Sequence, residues 1–380
     1  MKKIFIIGST GSLGREAVEV IKLLGNDYKI IGLTGFKNLE TLSKQVYNFS
    51  PLYVGASYEI LGPLREKFGN TCIFDVEREL EKVLEDASPD LTLFLSSKVT
   101  SLKSIYKLIS NSYFAGIGNK ESIIAGGEVL FTDQTRKFVI PVDSEPSAIF
   151  QCLRGEQKKE IKNLILTASG GPFLDRNKST FESIGKEEAL KHPKWKMGSK
   201  ITIDSSTLIN KAFEVIEAHF LFDMPYDKIK VLVHRESLVH SIVEFEDGNM
   251  KALFSLPTMY FPLQFAITYP HRVGTGLSSL SLDSLGNLTF KRLDTDKFPG
   301  FDIVLEYAKK GGNFLPIIVA ADEVLVENFL NKHIKYTEIH AYLKKVLEKF
   351  TFKETASIDE VCEFYNLGII TTNEFLRRSL

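Results

Sequence analysis

The feature that most constrains this 380-residue chain stands at its start. Lys3–Ile7, a β-branched and aromatic run, ends in Gly8-Ser9-Thr10-Gly11-Ser12-Leu13-Gly14, and a helical pattern follows from Arg15 to Leu24. A strand that feeds a helix through three glycines is the opening of a parallel-sheet crossover unit. Glycines at that junction let backbone N–H groups approach a pyrophosphate at the positive end of the helix dipole. The spacing is GxxGxxG rather than the commoner GxGxxG, so the strand–turn–helix setting carries more weight than the letters. A glycine-rich turn with no ligand has the same letters.

Strand-like runs recur at Lys29–Leu33, Leu52–Gly55, Leu91–Ser96, Tyr113–Gly116 and Phe138–Pro141. Helix-like stretches lie between them at Leu39–Phe49, Leu61–Phe68, Leu80–Glu85 and Ser101–Ser110. That alternation predicts an α/β fold with a Rossmann-type parallel sheet covered on both faces, over residues 1–142. From Ile161 the rhythm changes. Strands at Ile161–Thr167, Lys230–Val233, Ser241–Phe245 and Lys251–Phe254, with Asp247-Gly248 as a hairpin turn, surround one helix from Asp204 or Ser206 to Phe222. This predicts an α+β domain over 143–269, with a flap near 190–199. Residues 270–299 read as a connector and 300–380 as a C-terminal helical bundle.

Composition narrows the function. Lys plus Arg total 47 and Asp plus Glu 48, so the formal net charge is −1. No global basic field exists to hold nucleic acid. The three cysteines, Cys72, Cys152 and Cys362, form no CxxC pair and suit a reducing compartment. No apolar run approaches the roughly 20 residues that span a bilayer, and Gly8 and Gly11 interrupt the first apolar stretch too early for a signal peptide. The expectation is a cytoplasmic protein with no nucleic-acid or membrane partner.

Several segments carry chemistry. Gly35-Phe36-Lys37-Asn38 follows the second strand, where NAD enzymes place a ribose-binding carboxylate; Lys37 there suits a 2′-phosphate instead, and hence NADP. Asn119-Lys120-Glu121 stands at the carboxyl edge of the sheet, where ligands bind, or else is a plain surface loop. Pro141-Val142-Asp143-Ser144-Glu145-Pro146 reads as an extended segment with Asp143 and Glu145 on one side. Such a pair suits Mg²⁺ or Mn²⁺, or else a solvated acidic turn. In the helix from Asp204, the residues Asn210, Glu214 and Glu217 share a face, with Ser205, Asn210 and Lys211 near its start. A solvated acidic face gives the same pattern as a metal and phosphate site. His219, His234 and His240 read as structural; His192 shares a polar loop with Trp195, the only tryptophan, which suggests a lid.

Taken in order, these segments resemble the 1-deoxy-D-xylulose-5-phosphate reductoisomerase family. The residues that carry the likeness are Gly8–Gly14, Gly118–Ser122, Pro141–Glu145, Ala168-Ser169-Gly170-Gly171-Pro172-Phe173, His192-Pro193-Lys194-Trp195-Lys196-Met197-Gly198, Asn210-Lys211, and Ala320-Ala321-Asp322-Glu323-Val324. The resemblance implies a homodimer that rearranges and reduces a phosphorylated sugar with NADPH and Mg²⁺ or Mn²⁺. It implies metal binding by Asp143, Glu145 and Glu214, and catalytic roles for Lys120, Glu145 and Glu214. Ser169, Ser205, Asn210 and Lys211 would hold the substrate phosphate. Lys120, Ser144, Glu145 and Glu214 would meet its reacting end, with His192 and Trp195 on the flap. Thr10, Gly11, Ser12, Leu13, Gly35, Phe36, Lys37, Asn38, Asn119, Glu121 and Gly198 would contact NADPH.

The implied chemistry is a retroaldol–aldol rearrangement to an aldehyde, which NADPH then reduces without release. Three places depart from the family pattern: Phe36 where glycine is usual, His234-Arg235-Glu236-Ser237, and Thr258-Met259-Tyr260-Phe261-Pro262. Two rival readings are a semialdehyde- or homoserine-type NADP dehydrogenase and a non-catalytic NADP sensor. Neither needs the three carboxylates together, and a semialdehyde dehydrogenase needs a nucleophilic cysteine, for which Cys152 is the one candidate.

Overall fold

The computed structural model describes residues 1–379 apart from Asn70, Lys98, Pro193, Lys196 and Met197. The chain divides into two compact units. Unit 1 comprises residues 1–122, 132–147 and 259–278; unit 2 comprises 123–131, 148–258 and 279–380.

Unit 1 is built on β1 (Lys2–Ile7), α1 (Ser12–Leu24), β2 (Tyr28–Gly35), α2 (Leu39–Phe49), β3 (Tyr53–Ala56), α3 (Tyr58–Lys67), β4 (Cys72–Asp75), α4 (Leu80–Ala87), β5 (Leu91–Phe94), α5 (Leu102–Ser110) and β6 (Ala115–Ile117). It continues through α6 (Lys120–Leu130), β7 (Val139–Pro141) and the start of α7 (Ser144–Cys152). The strands form one parallel sheet in the order β4-β3-β2-β1-β5-β6-β7. Strand order reverses beside β1, which puts the glycine turn at the topological switch point, where open α/β sheets bind ligands. Ile4, Phe5 and Ile6 on β1 are fully buried, as both faces of a central parallel strand require. The helix Tyr260–Thr268 also belongs here: it packs on α1, with Leu263, Ala266 and Ile267 in the same core as Ala17 and Ile21.

In unit 2, β8 (Ile161–Ala168) precedes α8 (Lys186–Ala189), α9 (Ser199–Thr207) and α10 (Ile209–Phe222). Then come β9 (Ile229–Val233), β10 (Val239–Phe245), β11 (Met250–Phe254), α11 (Tyr260–Thr268, already placed on unit 1) and β12 (Lys291–Arg292). The unit ends in α12 (Pro299–Ala308), α13 (Phe314–Leu330), α14 (Tyr336–Leu347) and α15 (Ile358–Ser379). Its five-stranded sheet has the order β11-β10-β8-β9-β12, parallel only between β8 and β9. The α/β sheet, the second sheet and the closing helices are the predicted architecture.

Five expectations change. The edge strand β4 has no counterpart in the sequence reading, because Cys72-Ile73-Phe74-Asp75 is partly exposed at the sheet edge and ends in a charge, so no apolar run marks it. Asn119-Lys120-Glu121 is a helix start rather than a loop: the buried Asn119 accepts the Ser122 N–H at 2.8 Å and so caps α6. Asp143-Ser144-Glu145 is not extended, since α7 begins at Ser144. Pro146 stands in the first helical turn, where its missing N–H costs nothing. The single helix expected from Asp204 is two, broken at Leu208 in the left-handed region (φ 61°, ψ 9°). The supposed capping residues lie inside α9 instead; Ser206 Oγ donates to the Ile203 carbonyl at 2.7 Å, and Thr207 Oγ1 to that of Asp204 at 3.1 Å. Residues 259–278, placed by sequence in the second domain and the connector, group with unit 1.

Candidate active site

On unit 1 the glycine turn is fixed to its neighbours by its own backbone. Ser9 N–H donates to the Thr34 carbonyl at 2.8 Å, Gly8 N–H to Thr34 Oγ1 at 3.0 Å, and Gly11 N–H to the Gly8 carbonyl at 3.1 Å. Gly14 packs so closely on this turn that an added Cβ would lie 2.1 Å from the Gly8 carbonyl oxygen. Thr10–Leu13 are thereby set beside Gly35, which follows Thr34 at the end of β2. A Cβ at Gly118 would meet the Leu13 side chain at 2.8 Å, so the turn also adjoins the start of α6. Asn38 Oδ1 caps α2 by accepting the Thr41 N–H at 3.0 Å. Phe36 is 45% exposed, and Lys37 is exposed with its ammonium 3.8 Å from Glu59. Of the residues expected to touch a dinucleotide, all except Gly198 therefore belong to the carboxyl edge of one sheet. Gly198 lies on unit 2, at the N-cap of α9.

The same edge carries the first two carboxylates. Lys120, in the first turn of α6, is buried, and its ammonium lies 2.5 Å from Asp143 Oδ2. Asp143 Oδ1 accepts the Ser144 N–H at 3.0 Å, and the Ser144 hydroxyl donates to Glu145 Oε2. Asp143 and Glu145 thus flank the start of a helix.

On unit 2 the phosphate-binding candidates come together at the carboxyl end of β8. Lys211 reaches from α10 to donate to the Thr167 carbonyl at 2.6 Å. Ser169 follows in a loop that turns through Gly170 and Gly171, both at positive φ, and a Cβ at Gly171 would lie 2.8 Å from the Ser205 carbonyl. Ser205 closes α9, while Asn210 and Lys211 open α10. The two glutamates on α10 are not solvated: Glu214 is 2% exposed and Glu217 fully buried. Asn210 Nδ2 donates to Glu214 Oε1 at 2.5 Å, and Lys211 Nζ to Glu214 Oε2. This overturns the reading of a water-facing acidic stripe.

α9 itself is anchored from the C-terminal helices. Lys200 lies 2.6 Å from Asp204 and 2.6 Å from the buried Asp322 of α13, and Tyr336 Oη donates to the Ser206 carbonyl at 2.6 Å. Just before α9, His192 Nδ1 accepts the backbone N–H groups of Lys194 at 3.2 Å and Trp195 at 2.9 Å. Nδ1 is therefore unprotonated, and the Nε2–H donates to Ser169 Oγ at 3.2 Å. Pro193, Lys196 and Met197 of this segment lie outside the described residues. The Trp195 ring meets His240 edge-on at 6.2 Å, a neighbour that histidine spacing could not reveal because only tertiary packing joins the two.

Burial lowers the His192 pKa from 6.5 to about 4. Between those values the unfolded chain binds a proton that the folded loop refuses, so the loop's stability is full above pH 6.5 and falls as pH drops toward about 4. Protonation of Nδ1 would expel both backbone donors. Trp195 emission is expected to stay constant above pH 6.5 and change as the pH falls toward 4; a change confined to alkaline pH would refute the assignment.

Comparisons with known proteins identify the family. Three family models match in succession: 1-deoxy-D-xylulose 5-phosphate reductoisomerase over residues 4–127, its C-terminal domain over 139–222, and the DXP reductoisomerase C-terminal domain over 254–367. The 1-deoxy-D-xylulose 5-phosphate reductoisomerase of Caldanaerobacter subterraneus subsp. tengcongensis is 40% identical over all of this chain and all of its own. This chain belongs to the 1-deoxy-D-xylulose 5-phosphate reductoisomerase family. The reductoisomerase of Sulfurihydrogenibium sp. is likewise 40% identical, over all of this chain and 99% of its own. A DOX-P reductoisomerase crystallised with NADPH, fosmidomycin and magnesium superposes with a TM-score of 0.90 at 30% identity, covering 99% of this chain and 98% of that one. The Zymomonas mobilis reductoisomerase with NADPH gives 0.89 at 29% identity, with 99% of each chain covered.

The resemblance implies that Asp143, Glu145 and Glu214 share one cation. Among the described residues, no three His, Cys, Asp or Glu side chains form a cluster able to hold a metal ion. Asp143 and Glu145 stand on unit 1 and Glu214 on unit 2, and each is met by polar groups of its own unit. Their chemistry still fits: all three offer hard carboxylate oxygens, the donors that Mg²⁺ and Mn²⁺ take. The departures from the family pattern have local partners as well. Arg235 pairs with Asp175, Glu236 accepts from Thr289, and Tyr260 opens α11. Among the described residues no helix is long and apolar enough to cross a membrane.

Proposed function

We propose that this chain converts 1-deoxy-D-xylulose 5-phosphate to 2-C-methyl-D-erythritol 4-phosphate, with NADPH as reductant and Mg²⁺ or Mn²⁺ as cofactor. The observation that carries this reading is the grouping of Ser169, Ser205, Asn210 and Lys211 between the end of β8 and the start of α10, a 14-residue helix. Hydroxyls, an amide and an ammonium are the donors a phosphate dianion takes, and the positive end of the α10 dipole favours its charge. Full-length kinship with the reductoisomerases supports the rest. So do the NADPH and magnesium named for the solved relatives.

The chain's residues then divide the work. The phosphate donors hold the non-reacting end of the substrate, whose binding energy serves orientation and closure. Lys120 and Ser144 donate hydrogen bonds to the hydroxyl and carbonyl end. Asp143, Glu145 and Glu214 hold the divalent cation, and Thr10–Leu13, Gly35–Asn38, Asn119, Glu121 and Gly198 hold NADPH. When bound, the cation lowers the pKa of a coordinated hydroxyl and stabilises oxyanion charge, while NADPH supplies the hydride. Neutral His192 joins the Trp195 loop to Ser169, and closure of the Trp195 loop excludes water from the aldehyde stage. The enzyme works as a cytoplasmic homodimer, to be checked by light scattering at twice the 42.8 kDa chain mass.

A semialdehyde-dehydrogenase reading finds less support, because Cys152 is only 8% exposed and sits among core residues rather than in a nucleophile's open setting. The test of the proposal is NADPH oxidation with 1-deoxy-D-xylulose 5-phosphate after divalent ions have been stripped. Turnover should vanish and return on addition of Mg²⁺ or Mn²⁺. Undiminished turnover in the stripped protein would refute the metal assignment.

A further inference from the structure

The inner face of α2 is apolar at Leu42 and Val46, yet the position between them holds Gln45, only 7% exposed. A buried amide where the helix period asks for an apolar side chain is costly unless both its ends are bonded. Both are, and to one residue. Gln45 Nε2 donates to the Ser9 carbonyl at 2.8 Å, and the Ser9 hydroxyl lies 2.7 Å from Gln45 Oε1. That hydroxyl is also 3.0 Å from the Thr34 carbonyl, but its single proton goes to the nearer acceptor, since the Thr34 carbonyl already takes the Ser9 N–H.

The Ser9 carbonyl belongs to the same planar trans peptide as the Thr10 N–H, so the two point in opposite directions. Holding that carbonyl inward toward α2 aims the Thr10 N–H outward from the turn. We propose that Gln45 is a positioning residue for NADPH, holding the Ser9–Thr10 peptide in the orientation that presents the Thr10 N–H to the cofactor's pyrophosphate. The inference rests on the assignment of NADPH to the glycine turn and adds a residue that touches no ligand. Because Gln45 acts at the pyrophosphate, its loss penalises NADPH and NADH alike, and it spares ligands that lack a pyrophosphate.

The test measures binding of NADPH, NADH and adenosine 2′-phosphate to the full chain and to Gln45→Leu. NADPH and NADH are expected to weaken together by about 10- to 100-fold, as for a lost charge-assisted hydrogen bond. Adenosine 2′-phosphate should change by less than about twofold, and kcat at saturating NADPH should hold. Ser9→Ala removes the hydroxyl bond but keeps the peptide clamp, and should weaken NADPH by only a few fold. Unchanged NADPH affinity in Gln45→Leu overturns the proposal, as does an equal loss for all three ligands. Lys37→Glu tests the underlying assignment separately, with NADPH and adenosine 2′-phosphate expected to weaken relative to NADH. Indifference of both to Lys37→Glu overturns the cofactor assignment; indifference to Gln45→Leu alone overturns only the positioning role.

Discussion

Glu214→Gln is expected to lower kcat by at least about 100- to 1000-fold while leaving NADPH affinity within about twofold. The substitution keeps shape and removes one charge at a residue 2% exposed. Two losses follow. A carboxylate oxygen is among the donors a divalent cation requires, and an amide nitrogen cannot replace it. Asn210 and Lys211 both donate to Glu214, so one of them is left facing an amide N–H instead of an acceptor, and the buried Lys211 loses its counter-charge. Lys211 is also among the proposed phosphate donors, so the KM for the substrate should rise along with the fall in kcat. NADPH titration and a thermal melt on the same preparation separate this from unfolding. A variant with near-normal turnover would remove Glu214 from the metal site.

Gly14→Ala is expected to be the most damaging small substitution in unit 1. Its methyl would stand 2.1 Å from the Gly8 carbonyl oxygen and 2.6 Å from Ser9 Cα. These are backbone atoms, with no flexible side chain to yield, so the turn and α1 must separate. Strain of this kind costs about 1–3 kcal/mol, a drop of roughly 3–10 °C in Tm for a unit of this size. With the pyrophosphate at this turn, as proposed, NADPH affinity should fall by more than about tenfold, because the shift moves the turn's backbone N–H groups. Gly11→Ala is the matched control: its nearest contact would be an ordinary 3.4 Å, so the melt should be unchanged. Equal melting of Gly14→Ala and the parent chain would refute the close packing of turn and helix.

What could be read from the sequence was what depends on local pattern. The buried parallel strands are mostly apolar runs, which makes β1, β2, β3 and β5 to β7 legible, while β4, half-exposed at the sheet edge and ending in Asp75, is not. The glycine turn, Lys37, Asp143, Glu145 and the Asn210-Lys211-Glu214 turn stood out because glycine and charge are conspicuous against such runs. Boundaries failed where a polar residue had two possible uses. Ser206 and Thr207 resemble helix caps, yet their hydroxyls bond back into α9. Asn119 reads as part of a loop, and its side chain is the cap of α6.

Other properties had no local signature at all. Glu214 and Glu217 are lettered like a solvated helix face; their burial was decided by what packs around α10. Gln45 reads as one more polar residue on a surface helix, and its value depends on Ser9, 36 positions away. The sequence alone determined the α/β class, the glycine turn and the family, because strand and helix periodicity and glycine placement are local properties of the chain. Only the tertiary structure decided which charges are buried, which lysine answers which carboxylate, and which peptide of the turn is clamped. Those outcomes come from desolvation and hydrogen bonding between segments far apart in the chain, and no window of sequence contains them.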